Sequence, residues 1–379
     1  MLKDNVIVVA FNAKLSDGCD YATQTLRLLG VENFVYGLLL GEPLTWKDIL
    51  RGEIPRMITR QCNSTLVRPL YLVPGQRFAG VKYFNYLLNA LLLRFILDVF
   101  HFGRKKRLWF FEPWNMLPIF RAFTGYTSLY DCVDYYGQLG YESPTKERHL
   151  IRHVNFMTCV SPALANVHQQ IRKDIHVVPL GFAQHLFDQN KSIRKLKKFT
   201  VGYIGGINYR LDFPLLLEIV GALPDVRFVF VGPIQKSLIG NEAGLGRSIK
   251  KLFSQQNVDY VGEVVKYKIG TYLASFDVGI IPYRTDYLFN RFSFPMKIME
   301  FFWYGLPVIS TDIVALRSLK RCVDINKSAT GWIRAIQARQ KNRWPSGAAE
   351  KQRAIALSHT WEKKIEAISA ILSEERNGK

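Results

Sequence analysis

Short apolar runs alternate with helix-spaced segments along almost the whole chain, in two successive sets. In the first set Val6–Ala10, Asn33–Leu39, Leu108–Phe111, Thr127–Tyr130, Phe156–Val160 and Ile175–Pro179 read as strands. In the second, Thr200–Ile204, Val226–Val231, Val258–Val261, Val278–Ile281 and Pro307–Ser310 do. Runs this short and this continuously apolar suit strands buried on both faces, as in a parallel sheet covered by helices. The alternation predicts an α/β protein with two doubly wound parallel-sheet domains in tandem. A chain of 379 residues also fits two cores better than one. Between the sets, Ser192-Ile-Arg-Lys-Leu-Lys-Lys198 is polar and basic and predicts the boundary. The expected domains are therefore 1–190 and 199–347, with 348–379 forming a C-terminal helix spaced on Trp361, Ile365, Ile368 and Leu372.

The five cysteines are scattered without a CxxC pair, which argues for a reducing compartment and against a disulfide or zinc framework. Met1-Leu-Lys-Asp-Asn leads directly into the first strand, so no secretory leader is expected and the cytosol is the predicted location. The net charge of +20 is spread over both halves. Nucleic-acid proteins often concentrate basic residues on one arm or face. A distributed excess fits an anionic substrate, an anionic membrane surface, or both.

The densest motif is Phe294-Pro-Met-Lys-Ile-Met-Glu-Phe-Phe-Trp-Tyr-Gly-Leu-Pro-Val-Ile-Ser-Thr311, read as loop, short helix, Gly-x-Pro break and buried strand. Lys297 and Glu300 are one turn apart and share a helix face. The helix start suits phosphate, and the carboxylate behind it can accept from a ribose hydroxyl pair. A pairing of Glu300 with Lys297 on the surface is the bland alternative, worth little energetically. Upstream, Val201-Gly-Tyr-Ile-Gly-Gly-Ile-Asn-Tyr-Arg210 runs from a strand into a Gly pair. Gly205 and Gly206 allow close backbone approach to a ligand, and Arg210 is placed to pair with a diphosphate. In the first half, Leu129-Tyr-Asp-Cys-Val-Asp134 ends a strand with Asp131 and Asp134 three apart. A carboxylate there can take a proton from an acceptor hydroxyl, or simply cap the next helix. Ser161 and Gly181 are expected at the same edge. No HExxH, GxSxG or GxxxxGK[ST] motif occurs, and the histidines show no metal-ligand spacing, so no metal is expected.

Phe84–Phe100 is strongly apolar, contains Arg94 and Asp98, and precedes Arg104-Lys-Lys-Arg107. It reads as a largely buried helix with a solvated basic turn, or as an interfacial helix with a polybasic anchor. A true span is disfavoured by the two central charges.

Taken in order, Gly202-Tyr-Ile-Gly-Gly, Val231-Gly-Pro, Val261-Gly-Glu-Val, Phe276-Asp-Val-Gly-Ile-Ile-Pro-Tyr and Pro295-Met-Lys-Ile-Met-Glu resemble the donor domain of GT-B glycosyltransferases. Tyr130-Asp-Cys-Val-Asp and Val160-Ser-Pro-Ala-Leu are similar to the acceptor half of the group, particularly bacterial cell-surface polysaccharide transferases of the teichuronic-acid and xanthan glucuronosyltransferase types. The resemblance runs from about Val6 to about Trp361. It implies two Rossmann-like domains facing a cleft, with the tail helix returning to the N-terminal one. Glu300 would contact the ribose, while Lys297, Arg210, Met296, Gly205 and Gly206 would line the diphosphate of a UDP- or GDP-sugar. Asp134 would be the base in an inverting reaction. Many family 4 members carry Glu-x7-Glu, but here Phe292 stands in place of the first Glu. The expected partners are a nucleotide sugar, a lipid-linked or saccharide acceptor and an anionic membrane surface. No nucleic acid, metal or resident cofactor is expected. The rival readings are a sugar-nucleotide epimerase or hydrolase on this scaffold, and a non-catalytic basic membrane- or nucleic-acid-binding protein.

Overall fold

The computed structural model describes residues 1–12, 15, 21–137, 144–187, 198–235, 244–341, 344–345 and 347–374. It divides into two compact units, Met1–Leu180 with Trp361–Lys379, and Gly181–Thr360. The basic segment 192–198 lies almost wholly outside the described residues.

The first unit holds an eight-stranded sheet built from β1 (Val6–Phe11), β2 (Phe34–Leu39), β3 (Ile58–Gln61), β4 (Ser64–Val67), β5 (Lys106–Phe110), β6 (Thr127–Cys132), β7 (Phe156–Cys159) and β8 (His176–Val177). Its order is β3-β4-β2-β1-β5-β6-β7-β8. Only the β3–β4 pair is antiparallel among the described strands. Every residue of β1 is buried, as expected for a central strand covered on both faces.

The second unit has a six-stranded sheet: β9 (Thr200–Ile204), β10 (Arg227–Val231), β11 (Val258–Gly262), β12 (Val278–Ile281), β13 (Val308–Ser310) and β14 (Asp324–Ile325). The order is β11-β10-β9-β12-β13-β14, all parallel. In both sheets the strand order reverses beside the first strand of the unit, between β1 and β5 and between β9 and β12. Such a switch point opens a crevice at the strands' carboxyl ends, because the flanking crossovers leave in opposite directions.

Sheet packing explains one glycine. A Cβ on Gly202 in β9 would lie 2.0 Å from the Phe276 ring, so the strand must expose bare backbone there.

The tail differs from the single helix expected. It forms two helices, Ala348–Ser358 in the second unit and Trp361–Ser373 in the first. The break falls at His359–Thr360, where Phe182 N–H donates to the His359 carbonyl and Phe182 forms a bridge with Thr360. The latter helix buries Trp361, Ile365, Ile368 and Leu372.

Candidate functional site

In the second unit, the carboxyl end of β9 releases Gly205, Gly206, Asn208 and Arg210, and that of β12 releases Tyr283. The two exits are stitched together by Arg284 N–H donating to the Arg210 carbonyl and Asp212 N–H to that of Pro282, each at 2.9 Å. Buried Asn290 completes the join: its amide donates to the carbonyls of Arg210 and Arg284, and its Oδ1 accepts from Arg210 Nε at 2.7 Å. The Arg210 guanidinium lies 4.7 Å from the ring centres of both Tyr283 and Phe289. Sandwiched in this way, it is oriented before any ligand arrives.

Lys297 opens the helix Lys297–Trp303, whose Ile298, Met299, Phe301 and Phe302 are all buried. Gly305, at φ +65°, ends it. The Lys297 ammonium lies 3.9 Å from the Tyr203 ring centre and 5.0 Å from that of Tyr283. Gly205 has φ +123°, and a Cβ there would approach Lys297 Nζ to 2.7 Å. Only glycine leaves both the backbone conformation and the ammonium undisturbed. Lys297, Arg210, Gly205 and Gly206 are all partly exposed. Burial pulls the Lys297 pKa below the usual lysine range, Arg210 adds to this, and Tyr283 opposes it. Burial works to raise the Tyr283 hydroxyl, but Lys297 and Arg210 outweigh it, and its pKa falls.

Glu300 is buried on the first turn of the same helix. Its Oε1 lies 2.5 Å from Lys266 Nζ, so the cation on this carboxylate comes from the segment after β11 and the pairing with Lys297 does not form. Lys266 also lies 5.4 Å from the Phe187 ring centre. Met296 caps the helix start through its carbonyl, which accepts from Met299 N–H at 3.0 Å. Phe292 ends the helix Leu288–Phe292 and is partly exposed.

In the first unit, the switch point between β1 and β5 places Asn12 beside Glu112. Glu112 is 2% exposed. Its Oε2 accepts from Asn12 N–H at 2.8 Å and from the Asn12 amide at 3.2 Å, while Oε1 accepts from the Tyr21 hydroxyl. Burial raises the Glu112 pKa, and the Tyr21 and Asn12 hydrogen bonds only partly offset it. Asp134, two residues beyond β6, is partly exposed at this edge. The buried Tyr136 hydroxyl feels both Asp134 and Glu112, and burial above all else raises its pKa. A buried carboxyl and a more exposed one, both within electrostatic reach of the Tyr136 hydroxyl, form an arrangement suited to proton transfer. Nothing in the sequence marked Glu112, a lone acid between Phe111 and Pro113.

Because the folded state raises the pKa of Glu112, this group's contribution to stability is present at low pH. It declines as pH rises from the unfolded glutamate value of about 4.3 through the raised folded value. Glu112→Gln should therefore show a flatter dependence of Tm on pH between about 4 and 7 than the parent. Scanning calorimetry across that range checks it, and parallel curves would assign the carboxylate a constant ionised state.

Other expected residues resolve differently. Asp131 is 0% exposed and binds Thr158 Oγ1 at 2.8 Å and Lys364 Nζ at 2.9 Å, so it belongs to the core and Asp134 alone faces the edge. Ser161 does not face an open site: its side chain caps the helix Pro162–His168 by accepting from Leu164 N–H. Cys132, Glu147 and His168 bring potential ligand atoms within 4.8 Å of one another, which their spacing in the sequence concealed. They are buried and mutually engaged, with Tyr130 donating to Glu147 at 3.0 Å and Cys132 Sγ 3.8 Å from His168 Nε2.

Two parallel-sheet α/β domains, each with a crevice at its switch point, define the GT-B class, and solved glycosyltransferases share the fold. Sucrose-phosphate synthase from Thermosynechococcus elongatus superposes with a TM-score of 0.75 at 14% identity, covering 98% of each chain. A glycosyltransferase from Rickettsia africae gives 0.74 at 14% identity over 100% of both chains. The Anabaena protein HepE, solved with UDP and glucose, gives 0.69 at 14% identity over 97% of this chain and 99% of its own. Within this fold, residues 198–337, inside the second unit, match the family described as Glycosyl transferases group 1. TuaH of Bacillus subtilis, named as a glycosyltransferase of teichuronic acid biosynthesis, is 28% identical over 189 residues. That match spans 46% of this chain and 45% of TuaH.

Proposed function

We propose that the protein transfers a sugar from a UDP-sugar to a saccharide acceptor carried on a lipid, at the cytoplasmic face of a membrane, during cell-surface polysaccharide synthesis. The observation that carries this is the pairing of two oriented cations, Lys297 and Arg210, with the Gly205–Gly206 turn at the switch point of a group 1 domain. Neither cation forms an ion pair among the described residues, so both charges are available to a diphosphate. UDP is the favoured nucleotide because HepE has been solved with UDP and with UDP-glucose. The role in cell-surface polysaccharide synthesis follows the name of TuaH, a glycosyltransferase of teichuronic acid biosynthesis.

In the proposed reaction the acceptor hydroxyl oxygen bonds to the anomeric carbon as the bond from that carbon to the β-phosphate oxygen breaks. The electron pair leaves with UDP, and Lys297 and Arg210 compensate the charge that develops on it. In an inverting reaction Asp134 receives the hydroxyl proton. Glu300, held by Lys266, accepts from the ribose hydroxyls. Phe292 leaves the sugar itself without the carboxylate contact of the Glu-x7-Glu pattern.

The test is calorimetric titration with UDP and GDP, followed by transfer assays. Glu300→Ala should weaken UDP binding about tenfold or more, the worth of one charge-assisted hydrogen bond. Asp134→Asn should leave UDP affinity unchanged and lower kcat at least about tenfold. Wild-type UDP affinity and turnover in both variants would refute the site.

A further inference from the structure

The helix Ala79–Phe100 has two unlike sides. Its inner side is fastened to the first unit over its whole length. Asn85 clasps Val73 through both backbone groups, Asn89 does the same for Leu70, and the Tyr86 hydroxyl donates to the Leu40 carbonyl at 2.6 Å. Further along, Arg94 donates to the Ala122 carbonyl at 2.8 Å and pairs with Asp98, which Lys106 also holds at 2.9 Å. The outer side is apolar and uncovered: Phe84, Leu92, Phe95, Val99 and Phe100 are 50–78% exposed, and Phe102 just beyond is 91% exposed. This corrects the reading of a largely buried helix. So much contiguous apolar surface on a folded unit marks an interaction face.

We infer that this face is a membrane-contacting surface, lying in the headgroup–acyl boundary of an anionic bilayer without crossing it. The helix is long and apolar enough to span. Crossing, however, would tear out the Asn85, Asn89, Tyr86 and Arg94 bonds and put an Arg–Asp pair in hydrocarbon. Lying flat costs none of these and inserts only the outer side chains. Charge selects lipid over a second copy of the chain. Exposed Arg77 and Lys105 flank the two ends, Arg104 lies over the Phe34 ring, and the chain as a whole carries +20. A like-charged copy is repelled where an anionic leaflet is attracted. Trp46 is half exposed, and its indole donates to the Leu72 carbonyl beside the segment that Asn85 holds. An indole there suits the interface.

The helix also has a polarity relative to the site. Its first half meets Leu40 and Val73, at the carboxyl edge of the sheet, while His101 beyond its last turn packs against the Phe34 and Tyr36 rings at the start of β2. Its amino-terminal end therefore shares an edge with Asn12 and Glu112. An acceptor tethered in the leaflet would be delivered to that edge. This delivery role rests on the proposed lipid-carried acceptor; the membrane contact does not.

The experiment is co-sedimentation of the full chain with vesicles of phosphatidylcholine alone and with 30% phosphatidylglycerol. The expected result is partition at least tenfold stronger into the anionic vesicles, reduced by 0.5 M salt, and release by alkaline carbonate. Leu92→Glu/Phe95→Glu/Val99→Glu should lower partition at least tenfold while UDP titration and circular dichroism stay unchanged. Undiminished partition of that variant would overturn the inference, as would retention through carbonate. So would self-association of the parent, dissolved by the same substitutions, without vesicle binding. Loss of UDP binding in the parent protein would instead count against the transferase reading and leave the surface standing.

Discussion

Lys297→Ala is expected to lower kcat/KM for sugar transfer about 100- to 1,000-fold, the usual cost of deleting one group that stabilises transition-state charge. The ammonium is held by the Tyr203 and Tyr283 rings at the start of a helix buried on most sides, and Gly205 leaves it open from the strand side. In the proposed reaction it would therefore be positioned before a leaving diphosphate develops its charge. Its lowered pKa supplies a second signature. Protonated Lys297 attracts the diphosphate, so UDP affinity should fall as pH rises through a value below the ordinary lysine pKa of about 10.4. The same group acts on folding with the opposite sign. A lysine whose folded pKa is depressed contributes stability that increases as pH rises from its folded toward its unfolded value. Lys297→Arg, charged throughout, should flatten the alkaline decline in UDP affinity. Calorimetric UDP titrations from pH 7 to pH 10 on parent, Ala and Arg proteins decide this. A pH-independent affinity in the parent, with turnover in the Ala variant within a few-fold of it, would make Lys297 a packing residue.

The parallel strands other than β4 and β14 were legible as short apolar runs; their observed ends differ from the predicted ones by no more than a few residues. The β3–β4 hairpin was not legible. Its first strand is largely exposed, and its turn uses Cys62 and Asn63 in the left-handed region, where a glycine would have announced it. The two-residue β14 is too short for any pattern to mark it. At the site, Lys297 and Glu300 were visible as one motif, but their working partners were not. Lys266 reaches Glu300 from 34 residues away, and Asn290 reaches Arg210 from 80. Glu112 meets Asn12 across 100 residues. Such pairs exist only once the sheet order has brought strand ends together, which local spacing cannot encode. The helix Ala79–Phe100 posed the reverse problem. Apolar residues run round it despite Asn85, Asn89, Arg94 and Asp98, and only the fold shows that the side bearing those polar groups is the covered one.

The second large effect concerns stability. Lys364→Ala is expected to destabilise the first unit by about 3–5 kcal/mol, because it strands a carboxylate in the core. Lys364 and Asp131 side chains are 1% and 0% exposed, and their 2.9 Å ion pair joins the helix Trp361–Ser373 to β6. Asp131 Oδ1 already serves both Lys364 and Thr158, and Oδ2 has no hydrogen-bond partner among the described residues. Without the ammonium, one hydroxyl would remain to solvate a full charge. Arg27→Ala is the control: its 3.3 Å pair with Glu362 lies on an exposed face of the same helix and should cost at most about 1 kcal/mol. Urea unfolding followed by near-ultraviolet dichroism gives both values. The double variant Asp131→Leu/Lys364→Met separates charge from packing. If the penalty of the single variant is an uncompensated charge, the apolar pair should recover most of it. If the double variant unfolds as readily as Lys364→Ala, the loss lies in the fit of the helix against β6. A loss of 3–5 kcal/mol is a large share of the 5–15 kcal/mol that holds a typical domain folded. Chains truncated before Trp361 would lose this pair together with the buried Trp361, Ile365, Ile368 and Leu372. The first unit should therefore depend for its folding on the helix Trp361–Ser373.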